Sequence, residues 1–190
     1  MNFCTLRHSV RGFPANRPSQ PAIRVAWQES VDFCVWLSKK TGFQVSLPTE
    51  AQWEWACRAG AATPFWFGSL DADFSTRANL ADQSIQSTKH LIKFPHSAAW
   101  NDGQSIVTDV GLFDANLWGL HDMHGNVSEW TLSTDQKTSG SKIVRGGSWR
   151  DRPQYATASH RQSYPTWQRV FDVGFRVVVE DNSAAVALNQ

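Results

Sequence analysis

The chain is poor in methionine and tyrosine, with two of each in 190 residues, and it has three cysteines, Cys4, Cys34 and Cys57. An odd number without C-x-x-C spacing excludes a dense disulfide framework and a zinc knuckle. No cysteine follows Cys57, so nothing C-terminal to it can offer a thiol. Long apolar runs are missing too. No stretch of about 18 apolar residues occurs, which excludes a membrane span, and the chain reads as soluble. Residues 1–20, MNFCTLRHSVRGFPANRPSQ, have no apolar h-region followed by a small-residue cleavage site, so no secretory signal is expected in this chain. An excess of one charge is also lacking. The 18 Lys and Arg nearly cancel the 17 Asp and Glu, leaving +1, and this gives no electrostatic ground for nucleic acid or an anionic membrane as partner. There is no G-x-S-x-G, phosphate loop or dinucleotide fingerprint.

Tryptophan is abundant, with ten residues. Large rigid rings fill a core poor in regular structure or line a recognition cleft. The length fits one domain burying roughly 70% of the unfolded chain's surface.

Residues 1–21, with Pro14, Pro18 and Pro21, read as an irregular lead-in, and the core starts near Ile23. In residues 28–40 the apolar positions Val31, Cys34, Val35 and Leu37 follow helical spacing, and Gly42 follows as a stop. A second helix is announced by Thr49 and Gln52 as a capping box, with Trp53, Ala56 and Cys57 as its buried stripe and an end near Gly60. Cys34 and Cys57 are therefore expected to be buried thiols. Residues 61–118 hold neither helical nor strand periodicity. A structureless loop of that length does not suit a compact domain, so bound ions are expected to organise it. Residues 142–145 and 174–179 read as strands. The domain is expected to span residues 22–180, followed by a flexible tail at 181–190.

Five segments occur in order: AIRVAWQESVDFCVWLSKKTG, LPTEAQWEWACRAG, ANLAD, WGLHDMHGNVSEW and VRGGSW, closed by GFRVVV. Together they cover residues 22–179 and resemble the formylglycine-generating-enzyme family of sulfatase-modifying factors. The resemblance implies a C-type-lectin-like α+β fold with two helices, small twisted sheets and much irregular loop held by calcium. The family's opening segment of strands has no counterpart here, so a partner chain covering that edge is expected.

Calcium takes six to eight oxygens, and Asp122, Glu129 and the carbonyls between them offer several within eight residues. From the residues alone, the favoured reading of Asp122 and Glu129 is a turn cap or an ion pair with Arg145. The resemblance implies one calcium site from Asp122, Glu129 and the carbonyls of Gly125 and Val127. It implies another from Asn79, the Leu80 carbonyl, Asp102 and the Gln104 carbonyl, with Gln104 where the family usually has an aromatic residue.

The enzymes of this family oxidise a substrate cysteine to formylglycine with molecular oxygen, using two cysteines that bind copper(I), a soft ion suited to thiolates. The corresponding positions here are Asp151 and, near it, Ala156. Copper is therefore not expected, and Asp151 is a hard ligand suited to calcium or magnesium. His121 and His124 read as polar turn residues and not as metal ligands. His160 with Asp151 could form an acid/base pair or a satisfied polar network. The aromatic and Arg-rich stretch from Trp149 to Val173 is expected to form a ligand cleft around Trp149, Arg150, Asp151, His160 and Arg161. For Trp149, Tyr164 or Trp167 taken singly, a core position is the expectation. The expected function is a non-catalytic binding or regulatory module holding a peptide or small polar ligand. The rivals are an oxidoreductase acting on a sulfatase cysteine with thiols supplied by a partner, and a retroelement-diversified ligand binder.

Overall fold

A computed structural model of the chain describes residues 9–10, 13–15, 17–87 and 95–180. The expectations for Cys4 and for a flexible tail at 181–190 lie outside the described residues. The elements in order are β1 Ser9–Val10, β2 Phe13–Pro14, α1 Trp27–Thr41, β3 Gln44–Ser46, α2 Glu50–Arg58, a 3₁₀ turn at Gln83–Ser87, β4 Ser128–Thr134, β5 Ser141–Arg145, a 3₁₀ turn at Pro153–Tyr155, β6 Gln162–Pro165, β7 Val173–Gly174 and β8 Val178–Glu180.

Both helices form where the spacing predicts them. Glu29 reaches back to accept the Ala26 N–H at 2.8 Å, opening α1, and Gly42 closes it with φ 81° while donating to Ser38. Cys34 is buried, but Val35 is 48% exposed. One residue past Cys34, Val35 has turned about 100° off the core face, which corrects its place in the apolar stripe. Thr49 and Gln52 form the expected reciprocal capping box of α2, with Trp53 and Cys57 buried beneath it.

Four strands make the main sheet in the order β6-β5-β4-β7, and β3 pairs with β8 in a separate two-stranded sheet. Residues 174–179, expected as one strand, are divided between the two sheets. Val173–Gly174 runs parallel to β4, whereas Val178–Glu180 runs antiparallel to β3. Phe175 and Val177, between them, pack on the core of Cys34, Leu47, Trp130 and Val144. The lead-in is also more ordered than its prolines suggest. β1 and β2 pair antiparallel, Ala15 is buried with Ile23 and Trp149, and Arg17 pairs with Asp109 at 2.8 Å.

The described residues within 61–118 are irregular as expected, and among them are a 3₁₀ turn and two isolated bridges, Phe65 to Gly68 and Asn79 to Gly125. An aromatic cluster organises the first half: Phe74 meets Phe65 edge-on at 4.8 Å, Phe67 at 5.1 Å and Trp100 at 4.7 Å. No helix among the described residues is long and apolar enough to cross a membrane.

Candidate functional site

The Gly146–Gly147–Ser148 turn after β5 touches both positions expected to correspond to the family's cysteines, Ala156 through Gly147 and Asp151 through Ser148. Gly147 has φ 69°, and a Cβ there would lie 2.8 Å from the Ala156 Cβ, so only glycine lets the turn close on Ala156. Ala156 is fully buried beside Phe65, Phe74 and Leu80. The Asp151 carboxylate accepts the Ser148 N–H at 2.9 Å. The Ser148 hydroxyl lies 2.8 Å from both Asp151 Oδ2 and Asp172 Oδ2. Asp172 is buried, which pushes its carboxyl above the usual range despite Arg150 nearby.

The remaining residues of the expected cleft do not gather around Asp151. Trp149 is 2% exposed and lies in the core against Ala81 and Val127, so it lines no cleft. Tyr164 is half-buried and Trp167 stands exposed. Arg150 covers the Phe171 ring at 5.0 Å and lies 3.6 Å from Asp172. His160 packs on Tyr155 at 5.5 Å. Burial lowers its pKa, with the Asp151 charge opposing, and no hydrogen bond joins the two among the described residues. Arg161 is held by Glu50 at 2.7 Å. A cleft of about 520 Å³ lies instead against residues 152–154, with Asp71, His96 and Trp100 also in its lining.

Both described thiols are buried, as expected. Cys57 Sγ sits 3.4 Å from His124 Nε2, and His124 Nδ1 lies 2.7 Å from the Ala156 carbonyl. That carbonyl can only accept, so Nδ1 carries a proton, while Nε2 accepts the Trp66 N–H at 3.4 Å, so the ring is neutral. Burial lowers the His124 pKa to about 4 and pushes the Cys57 thiol up. Cys34, in a different part of the core, is also raised by burial. His121 turns to the Phe113 carbonyl at 2.7 Å, so the two histidines face different partners.

Of the expected calcium ligands, Asp122, Val127 and Glu129 line one cleft of about 370 Å³. Gly125 adjoins it with φ 78°, and a Cβ there would lie 2.1 Å from the Asn79 carbonyl oxygen. Glu129 pairs with Arg176 rather than Arg145, at 2.5 and 2.8 Å, and accepts the Trp53 indole N–H at 2.6 Å. Arg145 is committed to Glu50 at 2.5 Å and Glu54 at 2.7 Å. The Asp122 carboxylate accepts the Gly111 N–H at 2.7 Å, and burial raises its pKa. A cation there would share Glu129 with a guanidinium.

The second group is different. Asn79 is 1% exposed. Its Nδ2 donates to the Ile106 carbonyl at 3.0 Å, while its Oδ1 is buried without a partner. Asp102 accepts from the Leu80 N–H at 3.1 Å and the Gln104 N–H at 2.7 Å. Burial, and secondarily Asp82, pushes its pKa up to about 7. The Gln104 carbonyl accepts from Ser84 Oγ at 2.6 Å. Asn79, with its orphaned buried oxygen, immediately precedes Leu80, whose N–H binds Asp102, and an unpaired oxygen donor next in sequence to that carboxylate contact fits a hard cation. Sequence reasoning missed Asp82, Arg176 and the Cys57–His124 contact. ANLAD and GFR carried the first two in plain sight, but no local spacing announced their partners.

The chain spans about half the length of the curated relatives it matches, with 45% of the bovine formylglycine-generating enzyme covered. That Bos taurus protein is 31% identical over 185 residues, or 87% of this chain. The Bos taurus protein named inactive C-alpha-formylglycine-generating enzyme 2 is 32% identical over 150 residues, covering 77% of this chain and 44% of its own. Among solved structures, PvdO from Pseudomonas aeruginosa superposes with a TM-score of 0.72 at 28% identity, over 87% of this chain and 64% of that one. Treponema denticola variable protein 1, at 21% identity, 93% and 77% coverage and TM-score 0.71, shares the fold. Residues 4–181 match the sulfatase-modifying factor enzyme 1-like domain, and with this α+β arrangement of two helices and small curled sheets the chain belongs to that family.

Proposed function

We propose that this domain is a non-catalytic binding or regulatory member of its family, with a peptide or small polar ligand held in the cleft beside Arg152 and Gln154. The observation that carries the proposal is the pair of positions Asp151 and Ala156, one a carboxylate spent on Ser148 and the other a buried methyl group. Neither offers a soft ligand for copper(I). Cys34 and Cys57 do not replace them, since they lie in separate parts of the core and burial opposes thiolate formation at both. A relative named as inactive is consistent with this reading. Structural calcium is part of the proposal, with the group around Asn79 and Asp102 as its better-suited site.

The other reading, oxidation of a sulfatase cysteine to formylglycine, draws on relatives named formylglycine-generating enzyme. It requires thiols from a partner chain. The test is mass spectrometry of a sulfatase-type cysteine peptide incubated with the protein, copper, oxygen and a reductant. An unchanged cysteine with folded protein is the expected result, and conversion to formylglycine would overturn the proposal.

A further inference from the structure

Asp82 is fully buried. Its Oδ1 accepts the Ser84 N–H at 2.7 Å, and its Oδ2 accepts the backbone N–H of Asp102. Each carboxylate oxygen has two lone pairs, so these bonds leave acceptor capacity on both atoms. No Lys, Arg or His among the described residues forms an ion pair with Asp82 or Asp102. That contrasts with Glu129, Asp172 and Glu50, each of which faces a guanidinium. A fully buried carboxylate at Asp82 beside a half-buried one at Asp102, with no cation next to either, is costly unless a cation is supplied. The segment that holds Asp82 also carries Asn79 with its unpartnered buried oxygen.

We infer that Asp82 is a ligand of a divalent cation bound at the Asn79 and Asp102 group. The site then has two carboxylates, one carboxamide oxygen and the Leu80 and Gln104 carbonyls as its donors, with water completing a shell of six to eight. Two acidic ligands match a doubly charged, oxygen-seeking ion and disfavour a monovalent one. The consequence for the fold is local: the ion would reinforce the link between residues 79–84 and residues 102–104, two irregular segments already joined by four hydrogen bonds, three of them to or from Asp102. This inference rests on the reading that this group holds calcium.

Terbium titration tests it, with Trp100, two residues before Asp102, as the sensitiser under indole excitation. An Asp122→Asn background confines the signal to this group. The expected result is sensitised emission displaced by calcium, lost in Asp102→Asn and weakened about tenfold or more in Asp82→Asn. No emission from the background protein overturns both the calcium reading and the role of Asp82. Emission that Asp102→Asn abolishes and Asp82→Asn leaves intact overturns only the role of Asp82. Thermal melts separate a ligand from a turn cap. A ligand predicts that Asp82→Asn melts no lower than the background protein in chelator and lower than it in calcium. A variant that is unfolded, or equally destabilised with and without calcium, overturns the assignment.

Discussion

Arg176 closes on Glu129 through two hydrogen bonds, Nε to Oε2 at 2.5 Å and Nη2 to Oε1 at 2.8 Å, and reaches past it to the His121 carbonyl at 3.1 Å. The side chain of Glu129 is 7% exposed and that of Arg176 24%, so the carboxylate is buried and the guanidinium partly so. Removing one partner strands the other. Arg176→Met is expected to cost on the order of 3 kcal/mol in urea unfolding, and adding Glu129→Gln to restore most of it. Equal losses in the single and double variants would contradict this pairing.

The buried thiols make a chemical prediction. In a Cys4→Ser variant, Cys34 and Cys57 should resist a disulfide reagent such as dithionitrobenzoate under native conditions and react fully in denaturant, because burial raises both thiols. Fast native labelling of either would reopen the case for redox chemistry.

His124 gives a pH dependence with a definite sign. Its pKa falls from 6.5 in the unfolded chain to about 4 in the fold, so the unfolded state binds the extra proton between those values. The stability that depends on a neutral ring is fully present above pH 6.5 and is lost as pH falls toward 4. The full loss is about 3 kcal/mol. Denaturant midpoints measured across that range should show the slope in the native protein and a flatter profile in His124→Gln.

Gly125 is the tightest backbone approach in the site, since an added Cβ would meet the Asn79 carbonyl at 2.1 Å. Gly125→Ala should therefore cost on the order of 3 kcal/mol or more, whereas Gly119→Ala, also at positive φ but with open space around it, should cost about 1 kcal/mol. Similar melting temperatures for the two variants would show that the loop yields at Gly125.

The helices were legible because their signals are local. Thr49 and Gln52 lie within one turn, and Gly42 stops α1 at its own position. The division of residues 173–180 between two sheets was not legible, because a run of valines reads the same whether it has one strand partner or two. Trp149 could be read two ways, as a core ring and as part of the cleft, for a related reason. Residue type suits a buried ring and a cleft wall equally, and only Ala81, Ile106 and Val127, distant in sequence, decide for the core. The positions of Asp151 and Ala156 were readable from the motif, but the commitment of Asp151 to Ser148 required the turn itself.

The pairing of β3 with β8 joins Gln44 to Glu180, and β7 reaches the main sheet only after every other strand of that sheet has formed its place in sequence. Such closure over most of the chain makes for a high contact order and slow folding, on the millisecond to second scale or longer. During synthesis, residues 44–46 must wait for residues 178–180 to leave the ribosome before their edge is satisfied. The nascent domain is therefore a natural client for chaperones that hold unpaired strands.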